Sequence, residues 1–291
     1  MVQDTLEKTK KLVWPRLKKY LKDPIYPIQF DIPKKYKKDV EKYWKINREY
    51  PERKGKYLRP TLVRLIAEAL KAKGEKYIQV AAAMQISEEW ILIHDDIEDN
   101  SDERRGKPTL HKEHGIEIAV NAGDALQTIM WKVIFDQNDP KITDEFYKII
   151  MRTILGQAVE MFWTKDSEIS DNKYFFIADS KSAYYSMAGP MRLGAIVSNA
   201  SPDQIDKITN FGLYLGRCFQ LVDDIIDLEQ DKKEGKITLA NTKGIEYTKK
   251  LAKEMRDKAK EIFDKDLGFL SHEPARTELI ELVDFILERS Y

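Results

Sequence analysis

Apolar residues recur at three- and four-residue intervals along nearly the whole chain, without the period-two alternation of half-buried strands, so the pattern predicts helices throughout. Leu6, Leu12, Val13, Leu17 and Leu21 mark a first helix over 4–21, in which Pro15 is expected to make a kink or a break. The Pro-rich piece Asp23-Pro24-Ile25-Tyr26-Pro27 ends it, and Ile32-Pro33 opens a Lys-rich amphipathic helix that ends near Tyr50-Pro51. This front segment shows no recognisable chemistry and reads as packing surface for a neighbouring helix or a second subunit.

Leu58, Leu62, Leu65, Ile66, Ala69 and Leu70 predict a helix over 57–71, and a long, nearly uncharged one follows over 77–93, interrupted only by Glu88 and Glu89. A loop is expected over 100–115, then a helix from about Ile116 carrying Gly123-Asp124, and further helical spacing over 146–162. A helix over 172–188 is expected to end or kink at Gly189-Pro190, with two more over 191–199 and 203–228. After a loop over 229–235, helices over 247–267 and 276–289 complete the chain. The expected fold is a single all-α domain over 1–291, its helices surrounding a central cavity.

Composition narrows the function more than the fold. The 49 basic and 49 acidic residues cancel, so no global field points to nucleic acid or to an anionic membrane surface. No apolar run reaches the length of a membrane span, and Met1-Val2-Gln3-Asp4 lacks the apolar core of a signal peptide. The lone Cys218 excludes an internal disulfide, and the protein reads as cytoplasmic.

The chemistry is concentrated in two stretches. Leu92-Ile93-His94-Asp95-Asp96-Ile97-Glu98-Asp99 brings an apolar run to three aspartates, and Arg104-Arg105-Gly106-Lys107 follows within one loop. Asp95 and Asp99, four apart, share a helix face. Phe219-Gln220-Leu221-Val222-Asp223-Asp224-Ile225-Ile226-Asp227 repeats the pattern. Two such clusters facing each other would repel unless cations lay between them, and hard oxygen ligands suit Mg²⁺, which takes phosphate oxygens as further ligands. The implied ligand is a diphosphate, and the forked donors of Arg104 and Arg105 match its oxygens.

These residues resemble the trans-type isoprenyl diphosphate synthases, or polyprenyl synthetases, of the short-chain farnesyl and geranylgeranyl type. The resemblance covers most of the chain after about residue 50, and Gly55-Lys56-Tyr57-Leu58-Arg59-Pro60, Gly123-Asp124, Gly156-Gln157 and Gly235-Lys236-Ile237-Thr238-Leu239 stand where the family has similar words. It implies a cytoplasmic homodimeric prenyltransferase joining an allylic diphosphate to isopentenyl diphosphate. It further implies Mg²⁺, about three ions per site, on Asp95, Asp96, Asp99, Asp223, Asp224 and Asp227. By the same resemblance Lys56, Arg59 and Arg105 bind isopentenyl diphosphate and Arg104 the allylic diphosphate. Lys181, Ser182 and Gln220 steady the carbocation and hold the leaving diphosphate, Ser182 replacing the usual Thr, and Lys236 helps to close the site.

Two departures stand out. Seven residues before Asp95, where the family has His or Gln gripping isopentenyl diphosphate, this chain has Glu88, which would repel a diphosphate unless protonated, turned away, or paired with a base such as Lys56 or Arg59. The loop after Asp227 is short and offers only Lys232 and Lys233 in place of a family lysine. The resemblance also makes Trp90 and Ile91 the floor beneath the growing chain; a bulky indole there implies a product of fifteen to twenty carbons, unless Trp90 faces a neighbouring helix or a second subunit instead. Two other readings are a class I terpene cyclase, which the second aspartate cluster argues against, and a modulating subunit without activity, which usually lacks some of these aspartates.

Overall fold

The computed structural model describes residues 2–22, 32–163 and 169–288. The first helix, α1 (Val2–Leu21), runs through Pro15 without the break that was one of the two expectations there. Proline in a helix interior costs about 3 kcal/mol, but Val13, Leu17 and Leu21 form one buried stripe worth about 2 kcal/mol per side chain. The Asp23–Pro27 piece lies outside the described residues. A 3₁₀ turn, Lys34–Tyr36, leads into α2 (Lys37–Arg53), which carries Pro51 in its last turn and buries Ile46, Asn47 and Tyr50. Next come α3 (Leu58–Ala69) and α4 (Lys76–Glu98), the latter buried almost all round from Ile78 to Trp90.

The expected loop over 100–115 is largely ordered. Strands β1 (Glu103–Arg104) and β2 (Lys107–Pro108) pair antiparallel, and α5 (Leu110–His114) follows. Then come α6 (Ile116–Phe135), α7 (Pro140–Trp163) and α8 (Asp171–Ser180), whose first turn is capped by the Ser170 hydroxyl accepting from the Lys173 amide.

The helix expected over 172–188 breaks earlier, at Lys181 (φ −102°, ψ −89°), and its winding also changes at the expected Gly189. A π turn, Tyr184–Ala188, runs directly into α9 (Gly189–Val197), where Pro190 occupies the first turn and its missing N–H goes unused. In α10 (Pro202–Ile226), Ser201 and Gln204 form a reciprocal capping box. The expected loop over 229–235 is another short helix, α11 (Leu228–Glu234), ended by Gly235 in the left-handed region. The chain continues through α12 (Leu239–Thr242), α13 (Ile245–Asp266) and α14 (Ala275–Glu288).

Contacts gather into two compact units, one of Met1–Thr5, Thr61–Tyr77 and Asp139–Tyr291, the other of Leu6–Pro60 and Ile78–Asn138. In the first unit α10 packs against α13, α9 and the π turn. Gly212 and Gly216, four apart on α10, allow the close approach: a Cβ on either would lie 2.6 Å from the Cα of Ala188 or Ala183 respectively. Arg64, 1 % exposed, is held between Glu68 and Glu278 at 2.6 Å each, which ties α3 to α14. Cys218 is buried on α10, and desolvation pushes its thiol up to about 12. Among the described residues no helix is long and apolar enough to cross a membrane.

Candidate active site

The residues marked by the sequence divide between the two units. Lys56, Arg59, Glu88, Trp90, Ile91, Asp95, Asp96, Asp99, Arg104 and Arg105 belong to one; Lys181, Ser182, Gln220, Asp223, Asp224, Asp227 and Lys236 belong to the other.

In the first group, α4 ends on Asp95, Asp96 and Glu98 with no basic residue in its last turn. Carboxylates at a helix C-terminus add to the negative end of its dipole, an arrangement that favours a cation. Asp96 is turned into the protein: it is 0 % exposed and accepts from the Tyr50 hydroxyl at 2.5 Å and from Arg104 Nε at 3.0 Å, with Arg104 Nη2 closing a forked pair. Asp95 and Asp99 keep partial exposure. Burial and the Asp96 charge push the Tyr50 phenol up. The adjacent aspartates therefore differ: Asp96 braces α2 and Arg104, whereas Asp95 and Asp99 are half-buried.

The arginine pair is aimed by the hairpin. Arg104 lies on β1, opposite Lys107, and Arg105 with Gly106 makes the two-residue turn, both at positive φ (55° and 72°). That is the turn type whose twist suits a tight hairpin, and a non-glycine residue there costs about 1 kcal/mol or more. Arg105 donates to the Tyr50 carbonyl at 3.0 Å and to Glu89 Oε2 at 2.9 Å, and lies 3.5 Å from Glu88 Oε1. Glu88 also pairs with Arg59 at 3.3 Å, which is one of the arrangements expected for it. Lys56 is exposed. A Cβ on Gly55 would lie 2.7 Å from Arg105 Nη2 and 3.4 Å from Glu88 Oε1, so the glycine of this word leaves room for the network. Arg53 fastens the hairpin from α2 by donating to the carbonyls of Arg104 (3.3 Å) and Pro108 (2.8 Å).

Trp90 is 5 % exposed; its Nε1–H points at Met130 Sδ of α6 (3.5 Å), and its ring meets His94 edge-on at 5.7 Å. Ile91 is half-buried. A Cβ on Gly123 would fall 2.3 Å from His94 Nε2, so the Gly123-Asp124 word is where α6 accommodates α4.

In the other group α10 ends like α4, with Asp223 half-buried, Asp227 exposed and no basic residue in the last turn. Asp224 repeats the behaviour of Asp96: it is 3 % exposed and accepts from the Tyr174 hydroxyl of α8 (2.7 Å) and from Gln220 Nε2 (2.7 Å). Desolvation raises its carboxyl to about 7 against those hydrogen bonds. Lys181, at the helix break, donates to Glu160 Oε2 of α7 at 2.6 Å, with Ser182 beside it. Gly156 lets α7 approach that break, since a Cβ there would lie 2.8 Å from the Lys181 amide nitrogen. Lys236 is half-buried, with its carbonyl held by Asn241 Nδ2 at 2.6 Å. Lys232 and Lys233 are exposed, Lys232 pairing with Glu229 at 3.0 Å.

The sequence reading missed Tyr50, Tyr174, Glu89 and Glu160, which hold the named residues in place. Their partners are 46, 50, 16 and 21 positions away, so no local spacing reveals them. Among the described residues Glu49, Glu113 and His114 also bring one potential metal-ligand atom each within 4.8 Å of one another. Arg53 already pairs with Glu49 at 3.0 Å, and His114 lies 2.8 Å from the same carboxylate, so this group reads as an ion-pair cluster.

Residues 40–280 match the Polyprenyl synthetase family. The chain belongs to that family. As a polyprenyl synthetase it is an enzyme of the prenyltransferase type. It is 29 % identical to the geranylgeranyl diphosphate synthase of Sulfolobus acidocaldarius, covering 89 % of this chain and 82 % of that protein. It is 27 % identical to a short chain isoprenyl diphosphate synthase of Methanothermobacter thermautotrophicus, covering 81 % and 87 %. Among solved structures, a geranylgeranyl pyrophosphate synthetase from Geoglobus acetivorans shares the fold with a TM-score of 0.84 at 24 % identity, covering 98 % of this chain and 99 % of the other. A decaprenyl diphosphate synthase from Rhodobacter capsulatus superposes with the same TM-score at 20 % identity, covering 99 % of each.

Proposed function

We propose that this polyprenyl synthetase condenses an allylic diphosphate with isopentenyl diphosphate into a linear product of fifteen to twenty carbons, geranylgeranyl diphosphate being favoured. The observation that carries the reading is the pair of helix C-termini, each with three aspartates and no basic residue in its last turn. Asp95, Asp99, Asp223 and Asp227, all carboxylate donors with at least partial exposure, would hold Mg²⁺; Asp96 and Asp224 would brace them from the tyrosine side. Bound Mg²⁺ supplies charge neutralisation for the leaving diphosphate. Arg104 and Lys181 orient that diphosphate, and the amide of Gln220 and hydroxyl of Ser182 present oxygen dipoles to the developing cation. Lys56, Arg59 and Arg105 take the isopentenyl diphosphate, and Lys236 helps to exclude water.

The full set of six aspartates supports catalysis over a modulating role. Alignment over nearly the full length of solved relatives supports reading residues 1–291 as one domain. Tyr147, Met151, Ile154, Leu155, Met161 and Phe162 leave an apolar stripe exposed along α7, which supports a homodimer. The test is incubation of the purified protein with Mg²⁺, isopentenyl diphosphate and allylic primers of increasing length, with products separated by chromatography. A linear product of the stated length is expected; no linear product from any primer refutes the reading.

A further inference from the structure

The arginines proposed for isopentenyl diphosphate are already engaged by carboxylates of the chain itself. Glu88 bridges both guanidiniums, with Oε2 3.3 Å from Arg59 Nη1 and Oε1 3.5 Å from Arg105 Nη2. The adjacent Glu89 is held differently. It is 0 % exposed, accepts from Arg105 Nη1 at 2.9 Å and from Gln85 Nε2 at 2.7 Å, and is fixed in the α4 core. The Glu88 side chain keeps 12 % exposure, and its contacts are longer than those of a well-formed charged hydrogen bond. One glutamate thus anchors Arg105, while the other can be displaced.

We propose that Glu88 is a specificity-determining residue that competes with the diphosphate of isopentenyl diphosphate for Arg59 and Arg105, so that this substrate binds by displacing it. The inference rests on the function proposed above. The Glu88 carboxylate already offsets charge on both guanidiniums, and an incoming diphosphate gains its arginines only by breaking ion pairs already made. The exposed Lys56 adds a positive charge that draws the anion in without relieving that competition. Glu88 thereby sets a high concentration threshold for the homoallylic substrate while leaving the Arg104 side of the hairpin untouched, because its ion pairs are made to Arg59 and Arg105.

The test is calorimetric titration of the intact enzyme with isopentenyl diphosphate, beside initial rates with each substrate varied in turn. Glu88→Gln keeps the side-chain shape and removes the charge. Its expected effect is about tenfold tighter binding of isopentenyl diphosphate, equivalent to about 1.4 kcal/mol, with a matching fall in its KM and little change in the allylic KM. In an Arg59→Gln background the same change should give a smaller gain, a coupling that a purely structural role for Glu88 would not produce. Unchanged or weaker binding in Glu88→Gln, or an equal gain in both backgrounds, overturns the inference while the reaction stands. Failure of both the parent and the variant to bind isopentenyl diphosphate overturns the substrate assignment itself.

Discussion

Gly216→Ala should loosen the part of the molecule that carries Lys181 and Ser182. The added Cβ would stand 2.6 Å from Ala183 Cα and 2.7 Å from both its Cβ and its carbonyl oxygen. These atoms are main chain or rigidly attached to it, so no flexible side chain can swing aside. Ordinary carbon contacts begin near 3.5 Å, and the two segments must separate by about 1 Å. Overpacking of this kind costs about 1–3 kcal/mol, and rigid neighbours place it toward the upper end. Against this, alanine is better than glycine in a helix interior by about 1 kcal/mol. The net expectation is a loss of about 1–2 kcal/mol, read as a lower urea midpoint at unchanged slope. Because Ala183 adjoins Ser182, turnover measured well below the unfolding transition should fall as well. Gly212→Ala, whose Cβ would meet Ala188 Cα at 2.6 Å, should behave similarly in stability. A Gly216→Ala protein as stable as the parent, or more so, would refute the reasoning, since only the helix-propensity gain would then have been expressed.

EDTA should abolish turnover and Mg²⁺ restore it; Asp95→Ala and Asp223→Ala should each lower turnover by orders of magnitude with the helical circular dichroism retained, and full activity in either would remove that cluster from the metal site. Tyr50→Phe leaves buried Asp96 without one of its partners and should cost about 1–3 kcal/mol in a denaturant titration. Burial raises the folded pKa of Glu89 above its ordinary 4.5, so the fold gains stability from protonating it; that gain is complete below 4.5 and is lost as pH rises through the folded value. Melting temperatures across that window should accordingly vary less with pH in Glu89→Gln than in the parent, and identical profiles would contradict the shift. Trp90→Ala should lengthen the product if the indole is the floor, at a stability cost of about 3–5 kcal/mol; an unchanged product distribution would place the stop elsewhere.

Helices were legible because amphipathic spacing and burial agree, as in α10, where the apolar stripe, the Ser201 cap and the buried set coincide. The expected break at Pro15 misled because a local penalty was weighed without its tertiary offset, Pro15 sitting in a helix whose other side is buried, while the break at Lys181 and the π turn before Pro190 are marked by no spacing rule. Two-residue strands such as Glu103–Arg104 are too short to show a period. At the site, the aspartates and arginines stand out as residue types in fixed words, yet the unequal roles of Asp95 and Asp96 depend on Tyr50, which looks in the sequence like any residue of an amphipathic helix. Glu88 could be identified as an oddity from its position; that it bridges two arginines needed coordinates.

The burial of Cys218 has a practical consequence. With its thiol desolvated and pushed up to about 12, the side chain carries little thiolate near neutrality and should react more slowly with maleimides and iodoacetamide than an exposed cysteine. As the sequence has no other cysteine, it offers a slowly reacting background for site-directed labelling. One introduced cysteine on the exposed face of α7 and another on α13 could carry a spin or fluorophore pair without first stripping the native sulfur.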